Sequence, residues 1–177
     1  MHNAWNRWNI ILMFLMLNAI LIITVTQITN KYFHETTPLI HKLELHKVAR
    51  LRSERQRDRA VLLFDFDLDL SKLFDWNCKQ VFLFIEASYS APGRPSNRAV
   101  IWDEVIHTKE HAKRIQGEKV FSDYEMDDFG QHLKGANVTL KIGWDVMPYV
   151  GFVGKHHQLK FLGNTQFEMP TSYGRWF

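Results

Sequence analysis

Asp65, Asp67 and Asp69 recur at every second position, the spacing at which acidic side chains can hold a divalent metal and, through it, a nucleotide-sugar phosphate. That chemistry defines one reading of the chain, a membrane-anchored, luminal D-x-D metal-dependent glycosyltransferase-like enzyme. The residues in between oppose it. Phe64, Phe66, Leu68 and Leu70 alternate with the aspartates, and a period of two places all three carboxylates on the solvent face of a half-buried strand with no catalytic reason required. A calcium loop fails on position, because Leu70 and Trp76 stand where its glycine and closing glutamate belong. A transferase also needs a nucleotide-binding domain that this length hardly holds. No metal site is expected.

The other reactive side chains are scattered. His156 and His157 are adjacent, so a strand would turn them to opposite faces, and a solvated loop pair is the expectation. Cys78 is the single cysteine, which excludes an intramolecular disulfide, and with no histidine partner in sequence it reads as a small buried side chain. No G-x-S-x-G elbow, H-E-x-x-H helix, phosphate-cradling glycine loop or C-x-x-C pair is present. Neither a catalytic residue nor a cofactor is expected. Asn137-Val138-Thr139 is an N-glycosylation sequon, usable only if that part of the chain faces the secretory lumen.

Whatever these residues do, they do it next to a bilayer. Ile10 to Ile28 is an unbroken apolar run, about 28 Å long as a helix, close to a bilayer's hydrocarbon thickness. Its exit, Thr24 to Lys31, lacks the small-x-small pattern of a cleavage site, so the run reads as an uncleaved signal anchor. Trp5 and Trp8 before it and Tyr32 after it suit the two headgroup boundaries. Asn18, an amide near mid-span, is a candidate contact to a partner helix. Arg7 and the amino terminus on one side, against Lys31, Lys42 and Lys47 on the other, tilt the local charge count slightly against a luminal C-terminus. That rule weakens for a long translocated domain, and the sequon points the opposite way. The expected organisation is a short cytosolic N-terminus at 1–9, an anchor at 10–28 and one luminal domain at 29–177.

A formal charge of +3 is mild, and much of the excess lies in Arg50, Arg52, Arg55, Arg57 and Arg59, interleaved with Glu54 and Asp58. This segment reads as a solvated loop or short helix between strands, and no nucleic-acid partner is expected. After a polar connection, strands are expected at Phe64–Leu70, Val81–Ile85, Ala99–His107, Lys119–Tyr124 and Asn137–Val146, with closing strands at Leu159–Leu162 and Thr165–Glu168. Val81–Ile85, apolar on both faces, reads as a central strand. A short helix is expected within Lys109–Gln116, and a turn at Ala91–Ser96. The fold class is therefore mainly β: a single N-terminal transmembrane helix followed by a luminal antiparallel β-sandwich. Trp144 alternates into the core, whereas Tyr149 and Phe152 are interface candidates.

Leu73-Phe74-Asp75-Trp76-Asn77-Cys78-Lys79-Gln80, followed by Phe82-Leu83 and Tyr89-Ser90, resembles the signal peptidase complex subunit 3 family. The likeness continues at Ala99-Val100-Ile101-Trp102-Asp103, at Asn137-Val138-Thr139-Leu140, and at Trp144, Pro148 and Gly151. The resemblance implies a non-catalytic, single-pass type II protein of the endoplasmic-reticulum membrane with a luminal β-sandwich. It implies partners, namely a catalytic serine protease subunit and other small membrane subunits, besides the lipid bilayer. It also implies that Asn137 carries a glycan. Without it, the residues leave open a generic anchored interaction module.

Overall fold

The computed structural model describes residues 3–33, 37–91, 94–150 and 162–175. Helix α1 (Ala4–Phe33) contains the apolar run and is long and apolar enough to cross a membrane. Four of its polar side chains, Asn18, Thr24, Thr26 and Thr29, turn back on their own helix. Asn18 Nδ2 donates to the Phe14 carbonyl at 2.8 Å, and the Thr24 and Thr26 hydroxyls donate to the carbonyls of Ile20 and Ile22, each at 2.8 Å. Such back-bonding lets polar groups sit in an apolar span without leaving donors unpaired.

Two antiparallel sheets follow. The first is founded on the hairpin β1 (Leu39–Glu54) and β2 (Arg57–Asp69). The chain then makes a 3₁₀ turn at Ser71–Leu73 and crosses to β3 (Cys78–Ala91), which pairs with β4 (Arg94–Ile106). The one-turn helix α2 (Lys109–Ala112), capped by Thr108, returns it to β5 (Ile115–Phe121) and β6 (Met126–Phe129). Strands β7 (Asn137–Pro148), β8 (Leu162–Glu168) and β9 (Gly174–Arg175) complete the fold. The first sheet runs β5-β2-β1-β9 with β6 on the outer part of β2, and the second runs β4-β3-β7-β8.

Inward residues of both sheets make one core. Leu51, Leu62, Phe64, Phe66 and Leu68 face Leu83, Ile85, Ile101, Trp102, Leu140 and Trp144, all buried. Phe66 and Trp102 touch across the sandwich with ring centroids 4.7 Å apart. The β3 alternation places Val81, Leu83 and Ile85 inside and Phe82 and Phe84 on the outer face, where the two rings stack at 5.6 Å. Phe84 is nonetheless buried, and it lies over Gly143, whose missing Cβ makes room for the ring.

The structure corrects three sequence expectations. The polar connection after the anchor contains the 16-residue strand β1. Its alternation is masked by irregularities at Ile40/Lys42, Leu45/Lys47 and Val48/Arg50, each of which resets which parity faces inward. The Arg50–Arg59 segment is neither a solvated loop nor a short helix. It is the tip of the β1–β2 hairpin, and only Arg55 and Gln56 form the turn, both with positive φ (52° and 65°), as a two-residue hairpin turn of the primed kind requires. The arginines survive in register, although Arg52 and Arg59 stand opposite each other, because β6 and the residue before it supply acid: Arg52 reaches Glu125 at 3.0 Å, and Arg59 reaches Glu125 at 3.9 Å and Asp127 at 3.8 Å. The expected helix stops at Ala112, since Ile115 and Gln116 already pair with Leu68 and Asp67. Leu159–Phe161 lie outside the described residues.

Strand direction gives the sandwich two distinct ends. Leu39, Asp69, Cys78, Ile106, Ile115 and Pro148 share the end at which the chain arrives from α1. The Leu70 N–H, donating to the Ala112 carbonyl at 2.8 Å, ties its two sheet-to-sheet crossings together. The tips after Glu54 and Ala91, and the start of β7 at Asn137, lie at the far end.

Candidate functional site

The three strand aspartates are half-buried on the outer face of β2, and each is engaged separately. Asp65 accepts from the Lys119 backbone N–H at 2.7 Å and from Lys42 Nζ at 3.0 Å, and this hydrogen bonding holds its carboxyl below the usual carboxylate range. Asp67 faces Arg114 at 3.6 Å, and Asp69 accepts from the Ser71 N–H at 2.8 Å. Among the described residues no group of three or more histidine, cysteine or carboxylate side chains is placed to hold a metal. His156 and His157 lie outside the described residues.

Cys78 is buried at the start of β3, and burial, reinforced by the Asp75 carboxylate, pushes its thiol up to about 11. At pH 8 roughly one thiol in a thousand is then ionised. Iodoacetamide at that pH therefore leaves the folded chain unmodified by intact mass and adds one label after denaturation; rapid labelling of the folded form would contradict this environment.

Residues that the sequence reading passed over form a buried polar cluster at the far end. Asp58 on β2 and Asp128 on β6 are register partners, both turned inward and both buried. Tyr89, from the opposite sheet, donates its hydroxyl to Asp128 Oδ1 at 2.6 Å. The second oxygen of Asp128 takes the His132 N–H and lies against His132 Nδ1, each at 3.0 Å. Asp58 accepts from the Leu133 N–H at 3.3 Å and from the Tyr173 hydroxyl at 3.1 Å. The arrangement is a clasp in which two carboxylates bind strands of both sheets and the 130–136 connection. Its sequence signal was parity: Asp58 shares the inward phase of Ala60 and Leu62.

At the opposite end, Phe74 and Asn77 are buried while Trp76 between them projects outward, 66% exposed. Asn77 grips the end of the β7 strand in both directions. Its Nδ2 donates to the Val150 carbonyl and its Oδ1 accepts from the Val150 N–H, both at 3.0 Å, and its own carbonyl takes the Tyr149 N–H at 2.8 Å. Trp76, Tyr149 and Val150 are thereby held as one exposed apolar tip. Tyr149 is exposed as an interface candidate must be, whereas Phe152 lies outside the described residues.

Asn137 is exposed at the first position of β7, with Val138 in the core and Thr139 half-buried, so the sequon's asparagine points into solvent at the far end. Asn18 is half-buried on α1, nowhere near these groups in sequence or fold.

These features describe a two-sheet sandwich that follows a helix long and apolar enough to cross a membrane and that presents an aromatic tip. A model of the signal peptidase subunit family matches residues 1–172. The chain belongs to that family. Signal peptidase complex subunit 3 of Dictyostelium discoideum is 27% identical over 175 residues, covering 98% of this chain and 97% of its own length. The Homo sapiens protein of the same name is 32% identical over 131 residues, 71% of this chain and 72% of its own. An adipocyte-related X-chromosome expressed sequence of Mus musculus is 36% identical over 116 residues, 64% of each chain. In this member of the family, the Leu73–Gln80 block that carried the resemblance builds the Asn77 grip and the Trp76 tip.

Proposed function

We propose that the chain is a non-catalytic accessory subunit of the endoplasmic-reticulum signal peptidase complex, supporting the catalytic subunit while signal peptides are removed from nascent secretory and membrane proteins. The carrying observation is the end-to-end match to a signal peptidase subunit family, which takes in anchor and sandwich together. In this reading the protein is single-pass and type II, with α1 in the membrane and the sandwich in the lumen. Its partners are the serine-type catalytic subunit and the other small membrane subunits, and Asn18 contributes a contact to one of their helices. Asn137, exposed about 36 Å along β7 from the end where α1 joins, carries the glycan clear of the membrane.

The tagged full chain, purified in mild detergent, is expected to co-isolate with signal peptidase activity and to leave a presecretory peptide intact when it is isolated alone. Hydrolysis by the isolated chain overturns the reading, and stable capture of a different assembly in its place would make it a generic interaction module. Asn137→Gln is expected to increase gel mobility by one glycan and to abolish the mobility shift on glycosidase treatment. Unchanged mobility, together with digestion of the sandwich by protease added outside sealed microsomes, would put the domain on the cytosolic side.

A further inference from the structure

We infer that the near end of the sandwich is itself a membrane-contact surface, with Trp76, Tyr149 and Val150 seated in the headgroup layer of the bilayer that α1 crosses. The inference rests on the proposed membrane anchoring of α1 and adds to it a second, independent contact made by the folded domain.

The first ground is that the exposure is built in. Trp76, Tyr149 and Val150 are 66%, 67% and 41% exposed, yet the residue that organises them, Asn77, is 2% exposed and makes three backbone-directed hydrogen bonds. Local backbone bonding fixes these side chains outward. A pinned cluster of apolar surface marks a contact site.

The second ground is reach. Leu39 follows Phe33 by six residues, so the near end cannot lie more than about 21 Å from the end of α1. A headgroup layer is about 5–7 Å thick on each side of the hydrocarbon, and α1 continues past Ile28 into it. The tether is therefore short enough for the near end to reach lipid and too short for the domain to leave the membrane surface by more than about 21 Å. The far end stands about 36 Å further along β7.

The third ground is chemistry. Tryptophan and tyrosine pair an apolar ring with a polar edge and suit the boundary between hydrocarbon and water. Lys72 and Lys79 flank Trp76 and are exposed, as are Lys109 and Lys113 on the α2 crossing at the same end, and cations there attract lipid phosphates. Of the acids at that end, Asp69 accepts from the Ser71 N–H at 2.8 Å, Asp75 turns one carboxylate oxygen to the Asn77 N–H at 2.9 Å, and Glu110 sits in the first turn of α2. The far end instead presents the sequon and the charged hairpin tip, where the exposed Phe129 ring is covered by the Arg57 guanidinium at 3.9 Å, a charged setting that bilayer contact does not suit. A lipid surface fits the near end better than a protein groove because its exposed rings sit on the side of the fold from which the tether comes.

The test uses the full chain in phosphatidylcholine–phosphatidylserine vesicles, with Trp5, Trp8 and Trp176 replaced by phenylalanine so that Trp76 is read against buried Trp102 and Trp144. Lipids brominated near the glycerol end are expected to quench a component of the fluorescence more than lipids brominated near the chain ends. That component is lost in Trp76→Phe and regained when Tyr149→Trp is added. Free access of aqueous iodide to Trp76 with no quenching by brominated lipid, in vesicles that retain the chain at alkaline pH, overturns the inference while leaving the anchor intact. Protection of Trp76 only after the peptidase subunits are added also overturns it and assigns the tip to a protein partner. If the chain is extracted at alkaline pH, the anchoring reading fails and this inference fails with it.

Discussion

Asp128→Ala is expected to destabilise the sandwich by about 2–3 kcal/mol, the cost of leaving buried hydrogen-bond donors without their acceptor. The carboxylate serves three groups at once, the Tyr89 hydroxyl, the His132 N–H and the His132 ring, and alanine fills none of those roles. Asp128 sits on β6 of the first sheet and Tyr89 on β3 of the second, with His132 in the connection after β6, so the loss is felt as separation at the far end. Asp128→Asn keeps the shape and one acceptor oxygen, and its expected cost is about half as large. Urea unfolding of the detergent-solubilised full chain, followed by near-ultraviolet circular dichroism, measures both. A cost below about 1 kcal/mol for the alanine variant would show that the cluster is dispensable.

Asn77→Ala is expected to cost about 2–3 kcal/mol, because it strips both hydrogen-bond partners from the Val150 backbone and leaves a void at a site 2% exposed. The effect is also local. Amide exchange at Val150 should accelerate to near the unprotected rate while Leu140 and Ile142, deep in β7, stay protected. Asn77→Asp retains the acceptor for the Val150 N–H and loses the donor to its carbonyl, so it should fall between wild type and alanine. Uniform loosening of all β7 amides would mean that Asn77 supports the whole strand and does not act on the tip alone.

The strands that the sequence made legible are those with unbroken alternation and a single parity. Phe64 to Asp69, Val81 to Ile85 and Asn137 to Val146 all lie within strands of the structure, with Leu70 one residue past the end of β2, and the inward placement of Phe64, Phe66 and Trp144 follows from period two. β1 was illegible because its bulges change parity three times within one strand. The arginine-rich hairpin was illegible because charge density imitates a loop, and only the register of β6 supplies the Glu125 and Asp127 that make a basic strand pair tolerable. Among the site residues, Asn137 could be placed on a polar face from alternation alone. The inward-facing Asp58 could have been placed the same way, had the hairpin been read as strand.

Some properties are local, and the sequence by itself determined them: an apolar run of membrane-spanning length, the alternation that makes a half-buried strand, a sequon on its polar face, a lone cysteine, and a block of residues specific enough to mark a family. Each depends on neighbours a few positions away, so each can be read in a line. Other properties belong to pairings between residues 39 to 115 positions apart, and they exist only once the chain is folded. Tyr89 meets Asp128, Asn77 meets Val150, and Tyr173 meets Asp58 because strand register and sandwich topology bring them together. The same topology puts Trp76 and Tyr149 at the end where the chain arrives from α1 and Asn137 at the other, a division set by strand direction.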